Sequence, residues 1–198
     1  MPSSLCENSI SNLVEVISLD YIRVKMTRET LADIPQYSPP DGYAINFYRP
    51  GDEVSWAEIW SKADEYETYD IERFNDAFGA DLPSMQHRCL FLVSPSGEKI
   101  GTATSWVEED AAGTWARLHW IALSAEFQGR GLGRPLLSAV MNLSKELGYE
   151  RVLLYTETLR LPAIRLYLDF GFLPDLSYPD GDRAWKQISN SLEHASLK

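Results

Sequence analysis

Basic residues are scarce in this chain. Over 198 residues, 18 Lys and Arg stand against 29 Asp and Glu, a formal charge of −11. Binding nucleic acid by phosphate neutralisation needs the opposite balance. Nucleic acid is therefore excluded as a partner, and a cationic small molecule or peptide is the more natural one. Cysteine is scarcer still: Cys6 and Cys89 lie far apart, too few for a disulfide framework. No apolar run reaches the ~20 residues of a spanning helix, and the first twenty residues lack the basic start and apolar stretch of a secretory signal. The expectation is a cytoplasmic chain with free thiols, no membrane partner and no metal. Internal repeats and low-complexity tracts are absent too. What is present, 44% hydrophobic and 12% aromatic residues, suffices for the core of one domain with or without an extension.

Residues 1–42 read as an N-terminal extension. Leu13, Val14, Val16 and Ile17 are apolar, Tyr21 to Met26 alternates like a strand, and Ser38-Pro39-Pro40-Asp41-Gly42 reads as a turn or linker. The domain proper is expected over residues 43–198. Ala44 to Tyr48 is a short strand, Asp52 is placed to cap the next helix, and Trp56, Ile59, Trp60 and Ala63 have the spacing of one buried helical face. A second helix is predicted over Thr68 to Phe78. Arg88 to Val93 and Lys99 to Val107 form a hairpin around Pro95-Ser96-Gly97, and Thr114 to Leu123 is the next strand. Leu136, Val140, Leu143 and Leu147 share a face of the helix that follows, which Gly148 stops. Val152 to Thr156 reads as a strand, Pro162 to Phe170 as a helix ended by Gly171, and Ala184 to Ile188 as a strand closing the sheet. A helical crossover between strands implies a parallel pair. The fold class is α/β, of the α+β mixed-sheet kind: a mostly antiparallel sheet covered by helices.

Between Leu118 and Leu137 an apolar strand passes through Gly129, Gly131 and Gly133 into a helix. So much bare backbone at a helix mouth suits an anion that must approach the main chain closely. A dinucleotide fingerprint would need glycine where Arg134 stands, and a phosphate-binding Walker loop would need Lys-Ser/Thr after Gly133, where Arg134-Pro135 follow. Gln128-Gly129-Arg130-Gly131-Leu132-Gly133 instead resembles the Gln/Arg-x-x-Gly-x-Gly/Ala signature of the GCN5-related N-acetyltransferases, the GNAT superfamily. Ala163 to Phe172 is similar to that superfamily's Ala-x-x-Leu-Tyr-x-x-x-Gly-Phe segment, and the resemblance spans roughly residues 43–188.

The resemblance implies acetyl-CoA as co-substrate, held between two parallel strands that splay apart, here Thr114 to Leu123 and Val152 to Thr156. Its pyrophosphate would rest on Gln128, Gly129, Arg130, Gly131, Leu132, Gly133 and Arg134. The pantetheine would pair with the main chain of Ile121 and Leu123, and the Ile121 N–H would polarise the thioester carbonyl. Tyr167 matches the tyrosine that protonates the departing thiolate. Direct transfer to a primary amine of a small molecule or peptide follows, with Cys89 the alternative acyl carrier.

An amine nucleophile must also lose a proton. By strand alternation Arg117, His119, Ile121 and Leu123 share one face, which makes His119 the candidate base, with Glu157, Glu108 and Glu109 behind it. Arg117 stands where the histone-modifying branch carries a catalytic glutamate, and Arg160 where many relatives have asparagine. Asp64, Glu65, Glu67, Asp70, Glu72, Asp76 and Asp81 crowd the segment expected to form the acceptor side. They read as solvated helix faces or as an attractor for a cationic acceptor. Tyr66, Tyr69, Trp106 and Trp120 line a pocket or fill the core. Two other readings stand: a non-catalytic CoA-binding regulatory domain, and an interaction module whose extension forms a homodimer.

Overall fold

The computed structural model describes residues 20–64, 67–79, 82–111 and 113–197. The readings made at Cys6, Leu13 to Ile17, Glu65, Tyr66 and Asp81 lie outside them. The elements are β1 (Arg23–Arg28), β2 (Ala44–Phe47), α1 (Glu53–Ala63), α2 (Ile71–Phe78), α3 (Leu82–Arg88), β3 (Cys89–Val93), β4 (Lys99–Asp110), β5 (Gly113–Leu123), α4 (Gly133–Glu146), β6 (Val152–Glu157), α5 (Leu161–Asp169), β7 (Leu173–Pro174) and α6 (Gly181–Ser191). The strands form one sheet in the order β2-β3-β4-β5-β6-β1-β7. β5 and β6 run parallel and the other pairs antiparallel. This is the mixed, mostly antiparallel architecture expected.

Local chemistry accounts for most boundaries. The Asp70 carboxylate accepts from the Arg73 N–H at 2.8 Å, so α2 starts at Ile71, later than the expected Thr68. Asp52 precedes α1 without capping it by its side chain. Its carboxylate accepts instead from the Arg49 N–H at 2.9 Å and the Lys99 ammonium at 2.7 Å. α3 is one helix more than expected, seven residues in which Met85 alone is buried, too little to show a period. The expected strand Ala184 to Ile188 is part of α6, where Ala184, Trp185 and Ile188 form one buried helical face. Leu147 caps α4 and is exposed.

The boundary drawn at residue 43 cuts through the sheet. β1 pairs along its whole length with β6, from Arg23 opposite Glu157 to Arg28 opposite Val152. Ile22, Val24 and Met26 belong to the core under α4, α5 and α6, with Leu136, Val140, Ile164, Leu168 and Ile188. Arg28 donates to the Phe170 carbonyl at 2.5 Å, tying β1 to the C-terminal end of α5, where a cation also meets the negative end of the helix dipole. On the other sheet face, Trp56, Ile59 and Trp60 of α1 and Phe74 and Phe78 of α2 pack on Cys89, Phe91 and Ala122. Each such large side chain contributes about 2 to 3 kcal/mol of burial.

Candidate active site

β5 is not a regular strand. Thr102 pairs with Ala122 and Thr104 with His119, so Trp120 and Ile121 together face Ala103 alone. This is a β-bulge, and Trp120 lies at φ +53°, a conformation uncommon for a bulky residue. An extra residue shifts the alternation by half a period. Leu118 before the bulge and Ile121 and Leu123 after it therefore pack on the α4–α6 core. Trp120 and Ala122 turn to the α1–α2 side, where the His119 ring lies 6.2 Å from Phe78 and 5.2 Å from Trp120. The expected sharing of one face by His119 and Ile121 is overturned, because the alternation assumed an unbroken pleat.

The bulge also opens a gap. Parallel pairing of β5 and β6 covers only Ala116–Val152, Arg117–Leu153 and Leu118–Leu154, although the strands run on to Leu123 and Glu157. Ile121 has no register partner on β4 or β6. The Leu123 carbonyl accepts from the Gln128 side chain at 2.9 Å, which folds the glycine loop back onto the end of β5.

Within that loop, Gln128 N–H donates to Ala125 at 3.1 Å and Arg134 N–H to Gly131 at 3.2 Å. The five N–H groups between them, of Gly129, Arg130, Gly131, Leu132 and Gly133, have no acceptor among the described residues. Gly129 and Gly131 sit at φ +72° and +77°, and a Cβ on either would meet nothing within 4 Å. Alternating left-handed residues ahead of a helix make a nest of donors open to an anion. Gly133 differs: its Cβ would lie 3.0 Å from Leu166 Cδ2, so its bareness serves the packing of α4 on α5. The Arg130 guanidinium is held by the Glu126 carbonyl at 2.6 Å and that of Arg134 lies 3.6 Å from Asp169. The Leu132 side chain is core. The loop thus offers main chain, and its side chains brace it.

Tyr167 of α5 is buried, its ring 6.0 Å from Phe172. Burial pushes its hydroxyl up to about 12, against a downward pull from Arg160 and an upward one from Glu157. Arg160 itself is bound by Glu157 at 2.7 Å and Asp64 at 3.0 Å, and Tyr69 donates to the same Asp64 oxygen at 2.9 Å. This partly buried network, unforeseen from sequence, joins the end of α1 to the start of α5. Asp64 is therefore no solvated helix face. Glu67 pairs with Arg73 at 3.3 Å, whereas Glu72 and Asp76 are exposed.

His119 is held neutral. Burial, then the charges of Arg117 and Arg23, push its imidazole down to about 3. A base that weak is badly matched to an ammonium ion. Glu108 is engaged by Arg117 at 3.3 Å and by the Tyr155 hydroxyl, Glu157 by Arg160, and Glu109 is exposed. Cys89 is fully buried, and burial pushes its thiol up to about 11 against the hydrogen bonds of Thr104 and Thr102. A protonated, enclosed thiol is a poor acyl carrier. Among the described residues, no group of three or more His, Cys, Asp or Glu could hold a metal ion, and no helix is long and apolar enough to cross a membrane.

A sheet that splays beside a helix mouth rich in open donors defines a class built to seat a phosphate-bearing ligand in the gap. Residues 52–172 match the model of the acetyltransferase (GNAT) family, and the chain belongs to that family. It is 30% identical over 144 residues to the mycothiol acetyltransferase of Thermomonospora curvata, which covers 70% of this chain and 47% of that protein. The mycothiol acetyltransferase of Salinispora tropica is 26% identical over 79% of this chain and 54% of its own length. The chain spans about half the length of these curated relatives. A GCN5-related N-acetyltransferase of Sphaerobacter thermophilus shares the fold, with a TM-score of 0.63, 24% identity and coverage of 78% of this chain and 50% of that one.

Proposed function

We propose that this domain transfers an acetyl group from acetyl-CoA directly to a primary amine of a small molecule or peptide, within a ternary complex in the cytoplasm. The observation that carries the reading is the run of open main-chain donors from Gly129 to Gly133, beside the gap between β5 and β6. Those N–H groups hold the pyrophosphate, and Gln128, Arg130 and Arg134 brace the loop that presents them. Ile121, which has no register partner on β4 or β6, and Leu123 at the end of the strand present main chain to the pantetheine. When bound, acetyl-CoA supplies an activated thioester. The Ile121 N–H polarises its carbonyl, a contact of a kind whose loss costs about 3 to 4 kcal/mol. Tyr167, protonated far above neutrality, donates to the departing thiolate.

His119 does not serve as the base in this reading. The acceptor enters as its neutral fraction, which grows about tenfold per pH unit below the amine pKa of about 8 to 10. The net charge of −11 concentrates the ammonium form nearby. Sedimentation of the purified protein separates a monomer from the homodimer of the interaction-module reading.

Acetyl-CoA at a hundred times its Kd should add about 2.7 kcal/mol, a rise in Tm of roughly 5 to 10 °C for a domain this size. A panel of amines with thiol-release detection then reads transfer. No thermal shift would sink the proposal, and a shift without release to any amine would leave a CoA-binding module. Gly131→Val forces a β-branched residue to φ +77°, costing about 1 to 2 kcal/mol. The acetyl-CoA shift should fall to less than half. A full shift in that variant would remove the donor nest from the site.

A further inference from the structure

On the α1–α2 side of the sheet, the part over β5, β6 and β1 carries charges and aromatic rings in place of an apolar cluster. Lys25 and Arg151 lie over the Trp115 ring at 5.9 and 4.0 Å. Nearer the gap, Arg23 of β1 and Arg117 of β5 lie 4.6 and 4.9 Å from the ring centroid of Tyr155 on β6. Tyr155 donates to one oxygen of Glu108 at 2.5 Å, and Arg117 pairs with the other at 3.3 Å. Arg23 is exposed and has no ion pair or hydrogen bond among the described residues. Its register neighbour Glu157 is taken by Arg160 at 2.7 Å. The Arg117 Nε is buried without a hydrogen-bond partner.

Neither guanidinium has a carboxylate to itself: Arg117 shares Glu108 with Tyr155, and Glu157 opposite Arg23 is held by Arg160. Arg23 and Arg117 act on each other and on His119 as like charges. The buried Arg117 Nε, left without a partner, is costly unless an acceptor joins it.

We propose that Arg23 and Arg117 form a carboxylate-binding subsite for the acceptor. This rests on the transfer reading above and names its substrate class: a zwitterion whose amine and carboxylate lie on the order of 10 Å apart. The planar fork of arginine matches a carboxylate bidentately. Arg117 precedes Ile121 by four residues, one of them the extra residue of the bulge, which leaves about 10 Å along the strand. An α-amino acid, with both groups on one carbon, cannot span that. An extended tripeptide reaches about 10 Å. The acidic surroundings draw its ammonium end while the arginines anchor the other.

The test compares triglycine, Ala-Gly-Gly and Ser-Gly-Gly as free acids and as carboxamides, by thiol release, in the wild type, Arg23→Gln and Arg23→Lys. The wild type should favour an acid over its amide by at least tenfold in kcat/KM, carried by KM. Arg23→Gln should bring the two within about threefold and leave the amide unchanged. Arg23→Lys should fall between. The acetyl-CoA thermal shift, measured alongside, should be the same in all three proteins, which separates loss of the subsite from loss of fold or cofactor. Equal use of acid and amide by the wild type, or turnover of neither while acetyl-CoA still stabilises the protein, overturns the subsite. Absence of the acetyl-CoA shift defeats the transfer reading itself and the subsite with it.

Discussion

Tyr167→Phe should lower kcat about a hundredfold while leaving the KM for acetyl-CoA within threefold. The substitution removes one oxygen and keeps the ring that packs on Phe172, so Tm should stay within about 1 °C. A positioned acid contributes roughly 10² to 10⁴ in rate. Tyr167 suits the task because burial keeps it protonated, its hydroxyl pushed up to about 12. The same placement predicts no fall in kcat from this group between pH 6 and 10. An interaction made only as the thiolate departs appears in kcat and kcat/KM equally. Turnover unchanged in the variant would leave Tyr167 a packing residue and require another proton donor, Tyr69 or water.

His119→Gln should change how stability responds to acid. In the folded protein the imidazole is pushed down to about 3; in the unfolded chain it titrates near 6.5. Between those values the unfolded state binds a proton that the folded state refuses, so stability falls as the pH is lowered through that window. The slope is about 1.4 kcal/mol per pH unit. From pH 6.5 to 5 the wild type should lose up to about 2 kcal/mol through this residue, a loss that glutamine, which does not titrate, would not show. Urea midpoints of both proteins at pH 7, 6 and 5 measure the difference. Parallel lines would mean that His119 is hydrated and protonates freely, restoring it as a candidate base. With the burial described here, the rise of kcat/KM from pH 7 to 9 should follow the amine and be the same in His119→Gln.

The legible parts of the fold were those written by periodicity or by glycine. The faces of α1 and α4 show in Trp56, Ile59 and Trp60 and in Leu136, Val140 and Leu143, all buried. The loop from Gly129 to Gly133 could be read because positive φ and close packing each exclude other residues. What escaped has no local code. Nothing around Trp120 signals a bulge, since the tryptophan is held at φ +53° by the ring cluster it joins, 5.1 Å from Trp56 and 5.0 Å from Trp60. That one residue moved His119 to the other face of the sheet. Ala184 and Ile188, four residues apart, satisfy a strand and a helix alike over so short a span. The partnership of Asp64 with Arg160 and of Arg23 with Tyr155 joins segments far apart in the chain. Single-sequence patterns do not record such pairings.

The place of β1 between β6 and β7 governs how the molecule comes off the ribosome. Residues 23–28 find their neighbour at residues 152–157, which are made only after the sequence between them. At 5 to 20 residues per second the first strand waits roughly ten seconds, with Val24 and Met26 unsheltered. Closure of so long a loop also slows refolding. While residues 29–151 are being made, the nascent chain therefore carries an adhesive segment without its partner, a target for holdase chaperones.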